Sequence, residues 1–242
     1  MKVLFLYPDL MNLYGESGNV RILERHLMDQ GQEVVVDHKT VGDEIDFSKY
    51  AFIYAGAGTE RNQKKALSHL IGYRDEFKRA VENGAVALFT GNACEMLGDT
   101  VIDGEGQKFE GLGLLPFVSE ETSDKRFTGD ALCVSPSQEL TRPLIGFINK
   151  CSVIHEIKTP LFMMQMGLGN QSSDDKGEGF RVNNLFGTHL IGPVLAKNPE
   201  FTELLVKLIA KLEGFSYTPK TYEYEQKAYE VTLRELQKRI EQ

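Results

Sequence analysis

Cysteine is scarce in this chain. The 242 residues hold three, Cys94, Cys133 and Cys151, an odd number spread far apart. That scarcity excludes a disulfide framework and points to free thiols in a reducing compartment. A basic excess is missing too. Lys and Arg number 27 against 35 Asp and Glu, which leaves a net charge of −8. A nucleic-acid binder would show a basic footprint, so that class is excluded. No apolar run approaches the roughly 18 residues that a membrane-spanning helix needs. The opening MKVLFLYPDL is too short for a signal-peptide core. The expectation is a cytoplasmic protein with neither a nucleic acid nor a membrane as its partner. No internal repeat and no clear domain linker are visible.

What is present suits one large α/β domain with an appended helix. Hydrophobic residues make up 41% of the chain, enough for a sizeable core. The division expected is a main domain over 1–215 and a C-terminal helical extension over 216–242. Val3–Tyr7 is a continuous apolar run, as a buried parallel strand requires. A polar loop follows, and Ser17 is a plausible N-cap for a helix over Asn19–Gln30, stopped by Gly31. Strands are expected over Glu33–Asp37, Ala51–Ala55 and Ala85–Phe89. Helical spacing covers Gln63–Asn83, with a break near Gly72. This order, with Gly-rich turns at strand ends, predicts a doubly wound, mostly parallel sheet.

Residues 99–190 differ in texture. Short segments such as Ala131–Val134 and Leu144–Ile148 predict hairpins or an antiparallel extension. The stretch GLGNQSSDDKGEG over 167–179, with Asp174 and Asp175, is expected to be a polar, mobile loop. Leu185–Gly187 predicts a last buried strand and Pro199–Glu213 an amphipathic helix ended by Gly214. Thr221–Ile240 predicts a charged helix with Tyr222, Tyr229, Leu233, Leu236 and Ile240 near one face. Cys151 and His155, four apart, have no second pair at ligand spacing, so no metal site is expected. Nor is a cofactor.

Seven ordered segments resemble one family. They are FLYPDLMNLYGESGN, YAGAGTERNQ, EMLG, EGLGLLPF, KRFTGD, IGFINK and NNLFGTHLIGPVLAKNPEF. Together they are similar to the CobB/CobQ-like class I glutamine amidotransferases. The likeness is greatest to the glutaminase subunits of lipid II isoglutaminyl synthase, which feed ammonia to a Mur-ligase-like ATP-dependent amidoligase. The resemblance implies a three-layer, flavodoxin-like α/β fold with an antiparallel extension. It also implies a cysteine on a sharp strand-to-helix turn, where the helix N-terminus lowers the thiol pKa. A histidine would relay the proton, and backbone N–H groups would stabilise the oxyanion.

Carried over by position, the resemblance puts the nucleophile at Gly91. Glu95-Met96-Leu97-Gly98 anchors that alignment, and Cys94 falls where the family has an aromatic residue. In Gly187-Thr188-His189-Leu190-Ile191-Gly192-Pro193 the catalytic histidine aligns with Ile191, and His189 takes a tyrosine position. Lys150 stands where the family has another histidine. Gly56, Ala57 and Gly58 occupy the oxyanion turn. Arg126 matches an arginine implied in substrate or subunit contacts, and its plain alternative is a surface ion pair. Asn12, Tyr14, Gly15 and Asn19 match the N-terminal loop.

Three readings stay open at this stage. Glutaminase chemistry is lost, although glutamine or another small ligand could still bind. Alternatively, Cys94 and His189, each displaced along the same face of its element, form a relocated pair. In the third reading the chain is a structural or regulatory subunit. For Cys94 and His189 the plain alternative is packing.

Overall fold

The computed structural model describes residues 1–122, 125–172 and 174–240. The first half alternates strand and helix. It runs through β1 (Lys2–Leu6), α1 (Ser17–Asp29), β2 (Val35–Lys39), β3 (Phe52–Ala55), α2 (Glu60–Leu70), α3 (Arg74–Glu82) and β4 (Val86–Thr90). Short strands follow: β5 (Thr100–Ile102), β6 (Lys108–Glu110), β7 (Val118–Glu121), β8 (Phe127–Val134), β9 (Leu144–Lys150) and β10 (Ser152–His155). The chain then forms β11 (Phe162–Met166), β12 (Gly177–Glu178), β13 (Phe180–Val182) and β14 (Leu185–Thr188), and closes with α4 (Val194–Lys197), α5 (Pro199–Glu213) and α6 (Glu223–Ile240).

The central sheet has the order β13-β14-β4-β3-β1-β2. Only the β13–β14 pair is antiparallel; the rest of the sheet is parallel. Residues of β1 alternate between its two faces, Val3 and Phe5 into one core, Leu4 and Leu6 into the other. Both faces are covered, so β1, β3 and β4 read as unbroken apolar runs rather than alternating ones. Two smaller sheets form the expected antiparallel extension, in the orders β10-β7-β5-β6 and β12-β11-β8-β9. One pair in the first of them, β5 with β7, is parallel.

Several local expectations need correction. Ser17 is not an N-cap: α1 begins on it, and its backbone N–H donates to Asn12 Oδ1 at 2.8 Å. The helix expected from Gln63 starts at Glu60, because the Thr59 hydroxyl accepts from Asn62 N and caps it. It breaks at a 3₁₀ turn over Ile71–Tyr73, as Gly72 suggested. The second strand is shifted toward its C-terminal end relative to Glu33–Asp37.

The stretch 167–179 is only partly a solvated loop. Asp174 is exposed, but Asn170 and Glu178 are buried, and Asn170 exchanges side-chain hydrogen bonds with Gly179 at 2.9 and 3.1 Å. On α6, Tyr229 and Leu236 pack on Leu132 and Ile145 of the β8–β9 hairpin. Tyr229 also donates to Pro143 O at 2.8 Å. Tyr222 instead stacks on His26, centroids 3.8 Å apart, and Ile240 is exposed. None of the described helices is long and apolar enough to cross a membrane.

Candidate functional site

The C-terminal ends of β3, β4 and β14 converge on one spot, where ligands bind in open parallel sheets. β4 ends at Thr90, and Gly91 turns the chain with φ +57° into a 3₁₀ segment over Gly91–Leu97. This is the sharp turn on which the resemblance places a nucleophile. A Cβ built on Gly91 would lie 2.5 Å from Ala57 Cβ and 3.0 Å from Ile191 Cγ2. Ile191 is held there by paired backbone hydrogen bonds with Phe147 of β9. Gly91 and Ile191 therefore face each other, and the space between them is closed.

The Gly56–Gly58 turn after β3 lies against the same spot, and one of its donors is occupied. Gly58 N–H donates to Asn92 Oδ1 at 2.9 Å, and Asn92 Nδ2 returns a bond to Gly58 O at 3.0 Å. The Glu16 carboxyl lies near the Ala57 backbone. Glu16 is fully buried and accepts from Gly192 N at 3.0 Å, Tyr54 OH at 2.7 Å and Thr90 Oγ1. Burial pushes the Glu16 carboxyl above its ordinary range, against the pull of those hydrogen bonds.

Cys94 and His189 are electrostatic neighbours, with no hydrogen bond between them among the described residues and His189 Nδ1 left without a hydrogen-bond partner. Both are sealed from solvent, at 0% and 1% exposure. Burial raises the Cys94 thiol above its ordinary value, outweighing the neighbouring His189. A buried neutral thiol is a poor nucleophile, since attack needs the thiolate. His189 is flanked by two carboxylates, with Nε2 3.3 Å from Glu95 Oε1 and Nδ1 3.6 Å from Glu178 Oε1. Burial opposes charge on His189. With the Cys94 thiol neutral, the flanking Glu178 and Glu95 carboxylates are what hold the ring above its usual range.

Glu95 is anchored by Gln63 Nε2 at 2.9 Å and by the Ser152 hydroxyl. Burial alone would raise Glu95; His189 and these donors bring it below its ordinary value. Lys150 completes the cluster, donating to Gly169 O at 2.8 Å and Asn170 O at 3.0 Å. Burial pushes Lys150 down, opposed by Glu178 and Glu95. Two carboxylates and two cations thus sit together at the buried back of the cleft beside Arg126, which Glu95 and Lys150 also line.

Arg126 lies at the mouth, not in the interior. It binds Glu60, donates to Asn149 Oδ1 at 3.0 Å, and stands 3.6 Å from Cys151 Sγ. These residues line a cleft of about 20 Å³ together with Tyr14, Ala57, Gly58 and Asn92. That is room for about one water molecule. Neither Cys94 nor His189 lines it. The three thiols are free, and only Cys151 is partly exposed. His155 pairs with Glu120 at 3.5 Å. No group of three metal-ligating side chains occurs among the described residues.

Sequence reasoning missed four of these residues: Glu16, Asn92, Glu95 and Glu178. Glu16 and Glu95 sat inside quoted motifs as flanking letters. Glu178 was read as loop, although an acidic residue between two glycines before an apolar strand was a signal of a turn into the interior.

The fold and the turn geometry define a class: the chain belongs to the CobB/CobQ-like glutamine amidotransferase family, whose domain matches residues 2–199. Two relatives carry the name lipid II isoglutaminyl synthase (glutamine-hydrolyzing) subunit GatD. The one from Staphylococcus aureus (strain N315) is 30% identical over 225 residues, covering 93% of this chain and 90% of the relative. The one from Streptococcus pneumoniae (strain ATCC BAA-255 / R6) is 26% identical over 213 residues, covering 87% and 81%. A solved glutamine amidotransferase superposes with a TM-score of 0.55 at 16% identity, over 86% of this chain and 99% of its own, and shares the fold.

Proposed function

We propose that this chain is a glutaminase-fold subunit that no longer hydrolyses glutamine. It would act in the cytoplasm as a structural or regulatory partner of a Mur-ligase-like ATP-dependent amidoligase. One observation carries the reading: at the turn where the family's nucleophile would stand, Gly91 is packed so tightly that even a Cβ collides with Ala57. The occupied N–H of Gly58 supports it, since an oxyanion needs free donors. The glutaminase identity of the relatives comes to this chain only as ancestry and as the kind of partner expected. Glutamine or another small ligand would need the cleft beside Arg126 to widen.

The electrostatic coupling of Cys94 to His189 favours a second reading, an active glutaminase with a relocated pair. Glutamate release, measured with and without a co-expressed Mur-ligase-like subunit, separates the two. The first reading expects none above background, together with co-purification of the partner. Release that Cys94→Ala abolishes, with a glutamine analogue attached to Cys94, would establish the second reading instead.

A further inference from the structure

Four side chains form one hydrogen-bonded line across the cleft mouth. Glu60 on α2 binds Arg126, which donates to Asn149 Oδ1 on β9 at 3.0 Å. Asn149 Nδ2 in turn donates to Tyr14 OH at 2.9 Å. Tyr14 ends the line, and it is the member with the least support. It is 44% exposed.

Its backbone is costly. Tyr14 has φ +63° and ψ +18°, the left-handed region where an aromatic residue is an outlier. Gly15 follows with φ +76°. Glycine or asparagine would hold the same turn with less strain. A residue kept in a strained conformation points to its side chain as the reason.

The neighbouring backbone is pinned. Leu13 N donates to Ala57 O at 2.9 Å, Ser17 N donates to Asn12 Oδ1 at 2.8 Å, and the Glu16 side chain is buried. Motion at this point therefore belongs to the Tyr14 side chain, not to the loop. Exposed side chains change rotamer on the picosecond-to-nanosecond scale when a single hydrogen bond is all that holds them.

We propose that Tyr14 is a gate on the cleft, latched shut by Asn149, and that its swing outward admits a small polar solute to the space beside Arg126 and Cys151. The gate stands whether or not the chain hydrolyses glutamine, because it concerns entry to the cleft and not the buried Cys94. Cys151 is a built-in reporter. It lines the cleft, whereas Cys94 and Cys133 are buried elsewhere.

The test is the rate at which iodoacetamide alkylates each cysteine in the folded full chain, read by peptide mass spectrometry. Tyr14→Phe keeps the ring and removes the latch, and should raise the Cys151 rate about fivefold, the worth of one hydrogen bond. Tyr14→Ala should raise it at least as much, with Cys94 and Cys133 staying unlabelled. A rise under twofold in Tyr14→Phe overturns the latch, even if Tyr14→Ala labels fast, since the ring would then be a passive cover. Labelling that spreads equally to Cys94 and Cys133 overturns it as well, as general loosening.

Discussion

Gly91 and Ile191 stand in contact across the β4 turn, with 3.0 Å between the Ile191 Cγ2 and a Cβ built on the glycine. A cysteine at 91 therefore needs room that the turn does not have. Gly91→Cys places a side chain at φ +57° and 2.5 Å from the Ala57 methyl. It should cost about 3 kcal/mol by urea unfolding, from strain and overpacking together. Ala57→Gly in the same chain should recover part of that loss. A double-mutant cycle that shows no coupling between 57 and 91 contradicts the packing argument.

The buried charge set makes a second prediction. Lys150→Met removes one of two cations and leaves Glu178 and Glu95 under-compensated. The cost should be about 3–5 kcal/mol. Lys150→Arg should not rescue it, because a guanidinium does not fit the two-carbonyl seat at 2.8 and 3.0 Å. Chemical denaturation of the three proteins decides the matter.

Stability should depend on pH through His189 and Glu95. The folded pKa of His189 is raised above its ordinary 6.5. Its contribution is complete below that value and is lost as pH rises through the folded pKa. Glu95 is lowered from 4.5, so its contribution is complete above that value and is lost as pH falls through the folded pKa. The pair contributes most between the two ordinary values. The stability gap between the wild type and His189→Gln should be widest near pH 6 and narrow steadily on the alkaline side. Urea midpoints from pH 5 to 9 measure it.

The last helix is held mainly by Tyr229 and Leu236, with Arg142 stacked 4.2 Å above the Tyr229 ring. Tyr229→Ala should cost about 3 kcal/mol of burial and cation–π energy. It should also make α6 the first site of proteolysis. Cleavage elsewhere before α6, in limited digestion followed by mass spectrometry, contradicts this.

Much of the parallel sheet was legible, because β1, β3 and β4 are buried on both faces and leave unbroken apolar runs. The break at Gly72 and the span of α5 were equally plain, the latter from Pro199 at its start and Gly214 at its end. The start of α2 was not read, since its signal was a single capping threonine, Thr59. At the site, alignment drew attention to Gly91 and Ile191, and the shared-face argument drew attention to Cys94 and His189 as one neighbourhood. Their packing was the plain alternative in the sequence; the charges around them were out of reach, because Glu178 and Lys150 arrive from β12 and β9. Occupation of the Gly58 donor was hidden for the same reason: Asn92 reaches Gly58 across 34 positions.

Glu95, Lys150, Glu178 and His189 come from separate stretches of the gene, yet they sit together in one buried cluster at the back of the cleft. Changing any one codon alone leaves a buried charge uncompensated. Emptying this place of charge would take paired exchanges, an acid and a base together, rather than single steps.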